Sequence, residues 1–509
     1  MKQRFLLFFT TFFLSLIIVT AGSAQVFTAC GTENQHLIIE RLQKNRAEFL
    51  NRPLARTQMP TYVPVIYHLV GDNSGNERAN LKDVLEMHCF LNNFYDTLDM
   101  RFYITDLNYI DNSTIHTDPR SANSRVRIRL AKRNNAMNIF LVKNIGGGAQ
   151  GGSTLGYYVP GDDYIVIQEN QINGFASTLA HEVGHFFSLA HTFYGWENTV
   201  YDASQPTPTF VTLSNGQRIM VEYVNRNRNC NNSADGFCDT PPDYLLGFQN
   251  PAGGCNPYNG PAKDPDNVPV DPMENNLMSY FERCPVYRVT QEQTQAMQQD
   301  LQSTARSALR TGWTPPSISV DDDIRYRTPN NNASLPVYVN IDLDWDDVPG
   351  ATHYLVEIDR INTFNRDVLS FVVDESFLTV PELRQNFNYY WRVTPYNPYY
   401  TCATGQFQRF RTGDQVTSVN NIPGLDYWAV VPNPLTSGPA TIKVDNTEAI
   451  EGTMSVIDLQ GKILWQNTLQ LTPGTHNIPV EFSGTNAGIY FVRLESNRGV
   501  STRKIIIQE

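Results

Sequence analysis

Three histidines and one glutamate lie within eleven residues, in the stretch His181-Glu182-Val183-Gly184-His185-Phe186-Phe187-Ser188-Leu189-Ala190-His191. On a helix, His181 and His185 are one turn apart and project from the same face. Glu182 lies about 100° further round that helix, close enough to meet a water held by the same metal ion. His191 is offset by six residues, so the chain must leave the helix near Ser188 for this third imidazole to return. Three neutral imidazoles with an open fourth position are typical of a catalytic Zn²⁺ site.

The chemistry of such a site is a metal-bound water whose pKa falls to about 7, with Glu182 accepting the proton. The pattern H-E-x-x-H also occurs in buried helices whose histidines bond to backbone groups, and that alternative stays open. Three of the nine histidines of the chain fall in this stretch, which favours the metal.

A second motif, Asn276-Leu277-Met278-Ser279-Tyr280, follows downstream. With it the sequence resembles the metzincin metallopeptidases, which combine an extended zinc motif with a Met-turn. The runs H-E-V-G-H-F-F-S-L-A-H-T-F, C-D-T-P-P-D and N-L-M-S-Y are similar to the pappalysin (cytophagalysin) family, over residues 60–310. The family usually has glycine at the position of Ser188, where a left-handed serine would store about 1–2 kcal/mol of strain.

The resemblance implies one catalytic Zn²⁺ ion held by His181, His185 and His191, with Glu182 as the general base. It also implies that Met278 forms an apolar floor beneath the imidazoles, and that Tyr280 donates a hydrogen bond to the oxyanion of the tetrahedral intermediate. A tyrosine that only packs in the core is the alternative for Tyr280.

The flanking periodicity is mixed α/β and predicts an α+β metzincin catalytic domain, a twisted sheet plus the zinc helix, over residues 59–314. The predicted strands are 62–70, 100–110, 137–145, 155–159 and 164–167, and the predicted helices are 81–94 and one capped by Thr290 whose apolar stripe runs to Leu309. The glycine-rich run 146–154 lacks the Lys-Ser/Thr ending of a phosphate-binding loop and precedes a strand, so nucleotide binding is rejected. The resemblance implies that this region is the upper rim of the substrate cleft, whose edge strand pairs with extended substrate through main-chain hydrogen bonds.

The cysteines bear on both stability and latency. Their number is seven, so at least one is unpaired. By the resemblance we expect a Cys255–Cys284 disulfide, which leaves Cys230–Cys238 as the second pair. Cys30 lies in residues 25–58, interpreted as a propeptide, where its thiolate could fill the fourth position on zinc and keep the enzyme latent. A Cys30–Cys89 disulfide is the alternative.

Oxygen donors crowd the turn at residues 233–241, an arrangement that suits Ca²⁺. Because related proteins bind calcium at the matching stretch, Asp235 and Thr240 are candidate calcium ligands. A plain Asx/Pro turn is the alternative.

Two all-β sandwich domains are predicted after the linker at 314–317. Residues 318–415 resemble a fibronectin type III-like domain with Trp345 and Trp391 in its core. Residues 420–509 resemble the C-terminal sorting domain of Bacteroidetes type IX secretion, with one more adhesive sandwich as the alternative.

Length, charge and hydropathy indicate how many domains the protein has, whether it is exported and which partners are excluded. A chain of 509 residues predicts about three domains. Residues 1–24 have the cations, apolar run and small-residue site of a secretory signal peptide, and no later segment has 18 consecutive apolar residues. The net charge of −12 argues against nucleic acid or an anionic membrane as a partner.

These observations together predict a secreted or cell-surface zinc endopeptidase, made as a latent zymogen and exported through the periplasm and outer membrane. Its expected partners are protein or peptide substrates and the type IX secretion machinery, and we expect a monomer without a transmembrane segment. The alternative is a surface adhesin whose metzincin scaffold binds peptides without cutting them.

Overall fold

The computed structural model describes residues 30–50, 60–146, 154–173, 177–415, 422–431, 433, 435, 439–458, 461–482 and 486–507. The predicted signal peptide, and residues 25–29 and 51–58 of the predicted propeptide, lie outside this set, as does most of the glycine-rich run. The elements up to residue 302 are α1 (His36–Phe49), β1 (Thr61–Gly71), α2 (Leu81–Tyr95), β2 (Met100–Asp111), α3 (Ser113–Thr117), α4 (Ala122–Ala131), β3 (Met137–Val142), β4 (Gly156–Val159), β5 (Tyr164–Gln168), α5 (Ser177–Phe186), β6 (Phe210–Thr212), β7 (Arg218–Met220) and α6 (Gln291–Gln302).

One five-stranded sheet, in the order β2-β1-β3-β5-β4, organises this first part. The first four strands pair in parallel, and β4 closes one edge by pairing antiparallel with β5. Strands β1 and β3 are buried on both faces, which explains their nearly continuous apolar sequence. The free edge of β4 is the side of the sheet on which the candidate site lies.

Helices cover both faces of this sheet. Helices α2 and α5 contribute to one large apolar cluster, which includes Val65, Leu85, Ile139 and Val183. On the opposite face α3 and α4 supply Ile115 and Ile128 to a smaller cluster with Phe140 and Tyr164. The zinc-motif helix is therefore held between the sheet and the loop region that follows it.

The final helix departs from the sequence prediction. Thr290 and Gln293 form the predicted capping box at its start. However, α6 ends at Gln302 because Ser303 adopts an extended backbone, so Ala305 and Leu309 continue in a 3₁₀ helix, Thr304–Leu309. The prediction of one helix reaching Leu309 was wrong. The predicted strand at 137–145 is also shorter and ends at Val142.

Beyond residue 318 the described chain is all β, as predicted. Its strands are β8 (Tyr326–Thr328), β9 (Ala333–Ser334), β10 (Val339–Trp345), β11 (His353–Asp359), β12 (Leu369–Val373), β13 (Phe377–Glu382), β14 (Asn388–Tyr396), β15 (Phe407–Arg411), β16 (Leu425–Val431), β17 (Pro439–Asn446), β18 (Ile450–Ile457), β19 (Ile463–Leu471), β20 (Gly474–Glu481), β21 (Gly488–Ser496) and β22 (Gly499–Ile507). They form two pairs of sheets, β13-β10-β8 with β12-β11-β14-β15-β9, and β16-β17-β20 with β19-β18-β21-β22.

Trp345 and Trp391 are fully buried in the core of the first pair, with ring centroids 6.3 Å apart. This sandwich is fastened to the first part of the chain. Cys402 forms a disulfide with Cys89 of α2, and the Thr401 hydroxyl donates to the Leu85 carbonyl at 2.8 Å. The sequence analysis identified no partner for Cys402 and only the alternative pairing with Cys30 for Cys89.

Candidate metal centre

Helix α5 ends where the third histidine requires it to end. Ser188 adopts a left-handed backbone with φ of 71°. The Leu189 amide then returns to the Gly184 carbonyl at 2.9 Å, a closing hydrogen bond typical of a helix C-terminus. The predicted exit from the helix at Ser188 is thereby formed, and His191 turns back toward the helix. The sequence also predicts that this helix begins at Phe175, which lies outside the described residues.

The three imidazoles converge on one point. The Nε2 atom of His191 lies 3.3 Å from that of His181 and 3.2 Å from that of His185. The opposite nitrogens, Nδ1 of His181 and of His185, contact the carbonyls of Leu277 at 2.6 Å and Leu189 at 2.7 Å. A carbonyl accepts only, so each Nδ1 carries the proton and each Nε2 presents a lone pair to the centre.

Burial keeps these rings neutral. It lowers the pKa of His181 to about 4 and the pKa of His185 and His191 well below the ordinary value. His181 and His185 thus present Nε2 lone pairs to the centre, with His191 Nε2 next to both, and neutral imidazole nitrogens are what Zn²⁺ binds. The residues therefore fit a metal ion.

Cys30 supplies a fourth donor. Its Sγ lies 3.4 Å from His185 Nε2 and 3.5 Å from Glu182 Oε2, and the four ligand atoms of the cluster lie within 4.8 Å of one another. The thiol is free, and the alternative Cys30–Cys89 disulfide is wrong, since Cys89 pairs with Cys402. Burial, and then the Glu182 carboxylate, raise the pKa of this thiol well above its usual range. A bound cation is thus what would favour the thiolate.

Glu182 is fully buried beside the cluster. Its Oε2 accepts a hydrogen bond from the Thr32 hydroxyl at 3.0 Å, while Oε1 has no partner among the described residues. Burial raises the pKa of the Glu182 carboxyl to about 7. A carboxyl with this pKa and a free oxygen is suited to exchanging a proton near neutral pH.

Met278 lies against the zinc-motif helix and is fully buried. A Cβ added to Gly184 would approach the Met278 sulfur to 2.6 Å, so a larger residue between the two histidines of the helix would displace the Met278 side chain. The Thr192 amide also donates to the Met278 carbonyl at 3.2 Å, next to His191. The structure therefore places the predicted floor residue in contact with the element that carries two of the imidazoles.

Tyr280 also reaches the cluster. Its ring centroid lies 4.9 Å from that of His191, and its hydroxyl donates to the Cys30 carbonyl at 3.1 Å. The hydroxyl therefore points into the site.

The segment around Cys30 lies across the site and is hydrogen-bonded to β4. The Gly31 amide donates to the Gly156 carbonyl of β4 at 2.8 Å, and the Tyr158 amide donates to the Thr32 hydroxyl at 2.8 Å. Gln35 contacts His191 twice, with its Nε2 2.7 Å from the ring Nδ1 and its Oε1 accepting from the backbone amide at 3.0 Å. Sequence analysis missed Thr32 and Gln35. Their closeness to Cys30 was the only available signal.

A second buried cluster contains the two candidate calcium ligands. Asp235 Oδ1 accepts hydrogen bonds from the Thr240 hydroxyl and the Phe237 amide, both at 3.1 Å. Asp235 Oδ2 and Glu222 Oε1 are buried and have no partner among the described residues. Burial, reinforced at Glu222 by the Asp235 charge, raises the pKa of both carboxyls. These orphaned oxygens fit a hard cation, and Glu222 was missed by the sequence analysis.

The loop region between His191 and α6 contains both disulfides expected there. Cys230 is joined to Cys238, and Cys255 is joined to Cys284. The second of these ties residue 255 to the chain four residues after Tyr280, and so restrains the loop that follows the Met-turn.

The fold and the site together define a disulfide-containing mixed α/β and β protein with a buried His/Cys cluster that could hold a metal. Residues 429–508 match the family described as the secretion system C-terminal sorting domain. The chain therefore carries a type IX sorting domain, and the alternative of one more adhesive sandwich there is wrong. Such a domain directs export through the periplasm and outer membrane to the cell surface or the extracellular space. Within the described residues, no helix has both the length and the apolar character needed to cross a membrane.

Partial likenesses to solved structures were also found. A promirolysin mutant of Tannerella forsythia is 17% identical with a TM-score of 0.35, over 55% of this chain and 93% of that one. The fn3 domain of human collagen alpha-1(XX) is 18% identical with a TM-score of 0.15, over 21% of this chain and 97% of that one. No curated protein matches the chain. At these TM-scores the likenesses support no conclusion about fold or activity.

Proposed function

We propose that this protein is a secreted zinc-dependent endopeptidase of the pappalysin type, made as a latent zymogen. One observation carries the proposal: the Nε2 atoms of three buried imidazoles converge on one centre, with the Glu182 carboxylate beside it. His181, His185 and His191 would hold the ion. When bound, Zn²⁺ would polarise the scissile carbonyl and acidify a water.

Side chains of the protein would supply the proton transfers and hydrogen bonds that peptide hydrolysis requires. Glu182 takes the proton of the attacking water on its free Oε1 and passes it to the leaving amine. The Tyr280 hydroxyl, released from the Cys30 carbonyl, donates to the oxyanion of the tetrahedral intermediate. Met278 and Gly184 keep the floor closed, and the buried surroundings strengthen each of these interactions.

Latency follows from the same contacts. In the intact chain Cys30 would supply the fourth ligand, the Thr32 hydroxyl donates to Glu182, and the Cys30 carbonyl accepts from Tyr280. Every group with a proposed catalytic role is therefore occupied by one short segment. Removal of residues 25–58 would free all of them at once.

Helix α1 explains how this segment is held in place. Ile38 and Leu42 are fully buried in the main apolar cluster, and Asn45 donates to Asp300 at 2.7 Å. Arg41 donates to the Tyr158 hydroxyl at 2.8 Å. Cutting the chain after residue 50 would not by itself release a helix packed in this way, so activation requires that the helix also dissociate or be digested.

The proposal also includes a calcium site at the buried carboxylates and the limits of the three domains. Glu222, Asp235 and Thr240 would bind Ca²⁺ and stabilise the loop region. The catalytic domain would span 59–314, followed by a fibronectin type III-like domain at 318–415 and the sorting domain at 420–509.

The test is hydrolysis of casein by the zinc-loaded protein before and after removal of residues 25–58. We expect cleavage that appears after removal, stops with a zinc chelator and is absent in Glu182→Gln. A protein that binds zinc and peptides after removal, yet cleaves neither casein nor gelatin, would be the peptide-binding adhesin instead.

A further inference from the structure

Arg120 lies at the edge of the candidate site and has no role in the chemistry described above. It follows α3 and precedes α4, and its guanidinium packs over the ring of Tyr157 in β4, 4.8 Å from the centroid. Its Nη2 donates to the Gly31 carbonyl at 3.0 Å, and its Nη1 lies 3.8 Å from the Glu33 carboxylate. The side chain is only 19% exposed, so these contacts are made in a largely buried position.

The residue that faces Arg120 is a glycine for a steric reason. Gly31 pairs with Gly156 of the edge strand, directly after the Cys30 thiol that reaches the imidazoles. A Cβ built on Gly31 would lie 1.9 Å from Arg120 Nη2 and 2.6 Å from the Thr154 methyl. Any other residue bound in this register therefore directs its side chain at the guanidinium. The end of an arginine side chain can withdraw to make room, and it then remains next to the incoming group.

The charge around Arg120 favours an acidic side chain. Among the described residues Glu33 is its one carboxylate partner within 4 Å, and no acidic residue occurs in the sequence between Asp118 and Asp162. Loss of residues 25–58 removes both Glu33 and the Gly31 carbonyl. Arg120 would then lie on the Tyr157 ring without its two direct partners, while Glu182 remains as a charge that acts on it from beyond ion-pair distance. An incoming carboxylate would restore a direct, charge-assisted pair.

We propose that Arg120, supported by Tyr157, forms a subsite for an Asp or Glu side chain of the substrate. The acidic residue is the one whose main chain pairs with Gly156, one position from the residue at the metal. This inference rests on the proposed peptidase function and names a substrate class for the same site. Arginine suits the role because its planar fork binds a carboxylate through two parallel hydrogen bonds while stacking on the ring.

The experiment compares peptides that are identical except for Glu, Gln or Lys at each position flanking the scissile bond. The full chain is used after removal of residues 25–58, as wild type, Arg120→Gln, Arg120→Lys and Arg127→Gln. Arg127 is an exposed cation of α4 and serves as the matched control. We expect wild type to cleave the Glu peptide at one position with kcat/KM about 10-fold above the Gln peptide, as for one charge-assisted pair.

Arg120→Gln should bring the ratio of kcat/KM for the Glu and Gln peptides to about 1, Arg120→Lys should keep part of the preference, and Arg127→Gln should keep all of it. The inference is overturned if wild type shows no acidic preference, or if Arg120→Gln lowers cleavage of Glu and Gln peptides equally, which would mean that Arg120 binds only the substrate main chain. Thermal unfolding of each variant identifies any loss that comes from misfolding, and in that event Arg120→Lys decides the result. Cleavage without acidic preference rejects the subsite alone, whereas no cleavage of any peptide by zinc-loaded wild type rejects the peptidase proposal as well.

Discussion

Two sets of buried histidines occur in the first part of this protein, and they use their ring nitrogens differently. His68 contacts Asn138 through Nε2 at 3.0 Å and Asn108 through Nδ1 at 2.8 Å, and it stacks on Phe140. His88 contacts the Tyr67 hydroxyl through Nδ1 at 2.9 Å and a backbone carbonyl through Nε2 at 3.2 Å. Both nitrogens of both rings are thus engaged by protein groups other than histidine.

The zinc-motif histidines differ at one nitrogen each. His181 and His185 give only Nδ1 to a carbonyl, and their Nε2 atoms face His191. Burial does not separate the two sets, because it lowers the pKa of His68, His88 and His181 alike, to about 4. What separates a structural histidine from a candidate ligand here is whether its second nitrogen has a partner of its own.

The largest effect is expected at Glu182. Replacing it with Gln keeps the shape and the hydrogen bond from Thr32 but removes the proton acceptor, so activity should fall by at least about 10²–10⁴-fold. Zinc content, measured by atomic absorption, should stay at wild-type level because all three imidazoles remain. Retained hydrolysis of casein by the zinc-loaded variant would reject this role for Glu182.

Exchanging one histidine from each set tests the comparison directly. His185→Gln should lose bound zinc and activity, since a ligand nitrogen is removed. His88→Gln should keep zinc but lower the free energy of unfolding by about 1–3 kcal/mol, since buried partners lose a hydrogen bond. Zinc content and urea unfolding of the two variants give both readouts. Loss of zinc in His88→Gln with an intact fold would break the distinction.

The thiol beside the imidazoles should set latency. Cys30→Ser removes the fourth donor while keeping Thr32 and the strand pairing, so the intact chain should show activity about 10-fold or more above the intact wild type. Hydrolysis of a fluorogenic peptide by the uncut chains measures this, and Thr32→Ala is the matched comparison because it removes the hydroxyl contacts with Glu182 and the Tyr158 amide but keeps the thiol. Equal activity of intact Cys30→Ser and wild type would place latency in α1 packing instead.

The second buried cluster predicts a calcium-dependent response to pH. The folded pKa values of Glu222 and Asp235 are raised, so the folded chain binds more protons than the unfolded chain above the ordinary carboxyl pKa. Stability should therefore fall as pH rises through that window toward the raised folded values. Between pH 7 and 9, above the titration range of the histidines, Tm should fall in EGTA.

Calcium should oppose that fall in Tm, because binding adds about 2.7 kcal/mol to the free energy of unfolding at a calcium concentration of 100 times its Kd. Asp235→Asn should reduce both the pH dependence and the calcium effect, and differential scanning fluorimetry measures each. If calcium does not change the Tm of wild type, the turn at residues 233–241 is a plain Asx/Pro turn and not a calcium site.

Sequence analysis predicted the structural features that depend on residues close together in the chain. The helix carrying His181 and His185, its end at Ser188 and the Thr290 cap all follow from residues within a few positions of each other. Contacts that join distant segments had no such signal. Gln35 meets His191 across 156 positions, and Cys89 meets Cys402 across 313. Glu222 was missed for the same reason, because its carboxylate becomes informative only once the fold buries it near Asp235.

The smallest effect is expected at Ser188, which lies between His185 and His191 in the sequence. Its backbone is left-handed and its hydroxyl is buried without a partner among the described residues. Ser188→Gly relieves both costs but adds backbone entropy to the unfolded chain, so we expect a net gain of about 1 kcal/mol in the free energy of unfolding. Ser188→Ala removes the hydroxyl and keeps the strain, so the difference between the two variants in urea unfolding measures the strain minus the entropy cost of glycine. If glycine stabilises no more than alanine, the strain at the helix end that returns His191 to the cluster does not exceed the entropy cost of glycine, and the glycine usual in the family that this motif resembles needs another explanation.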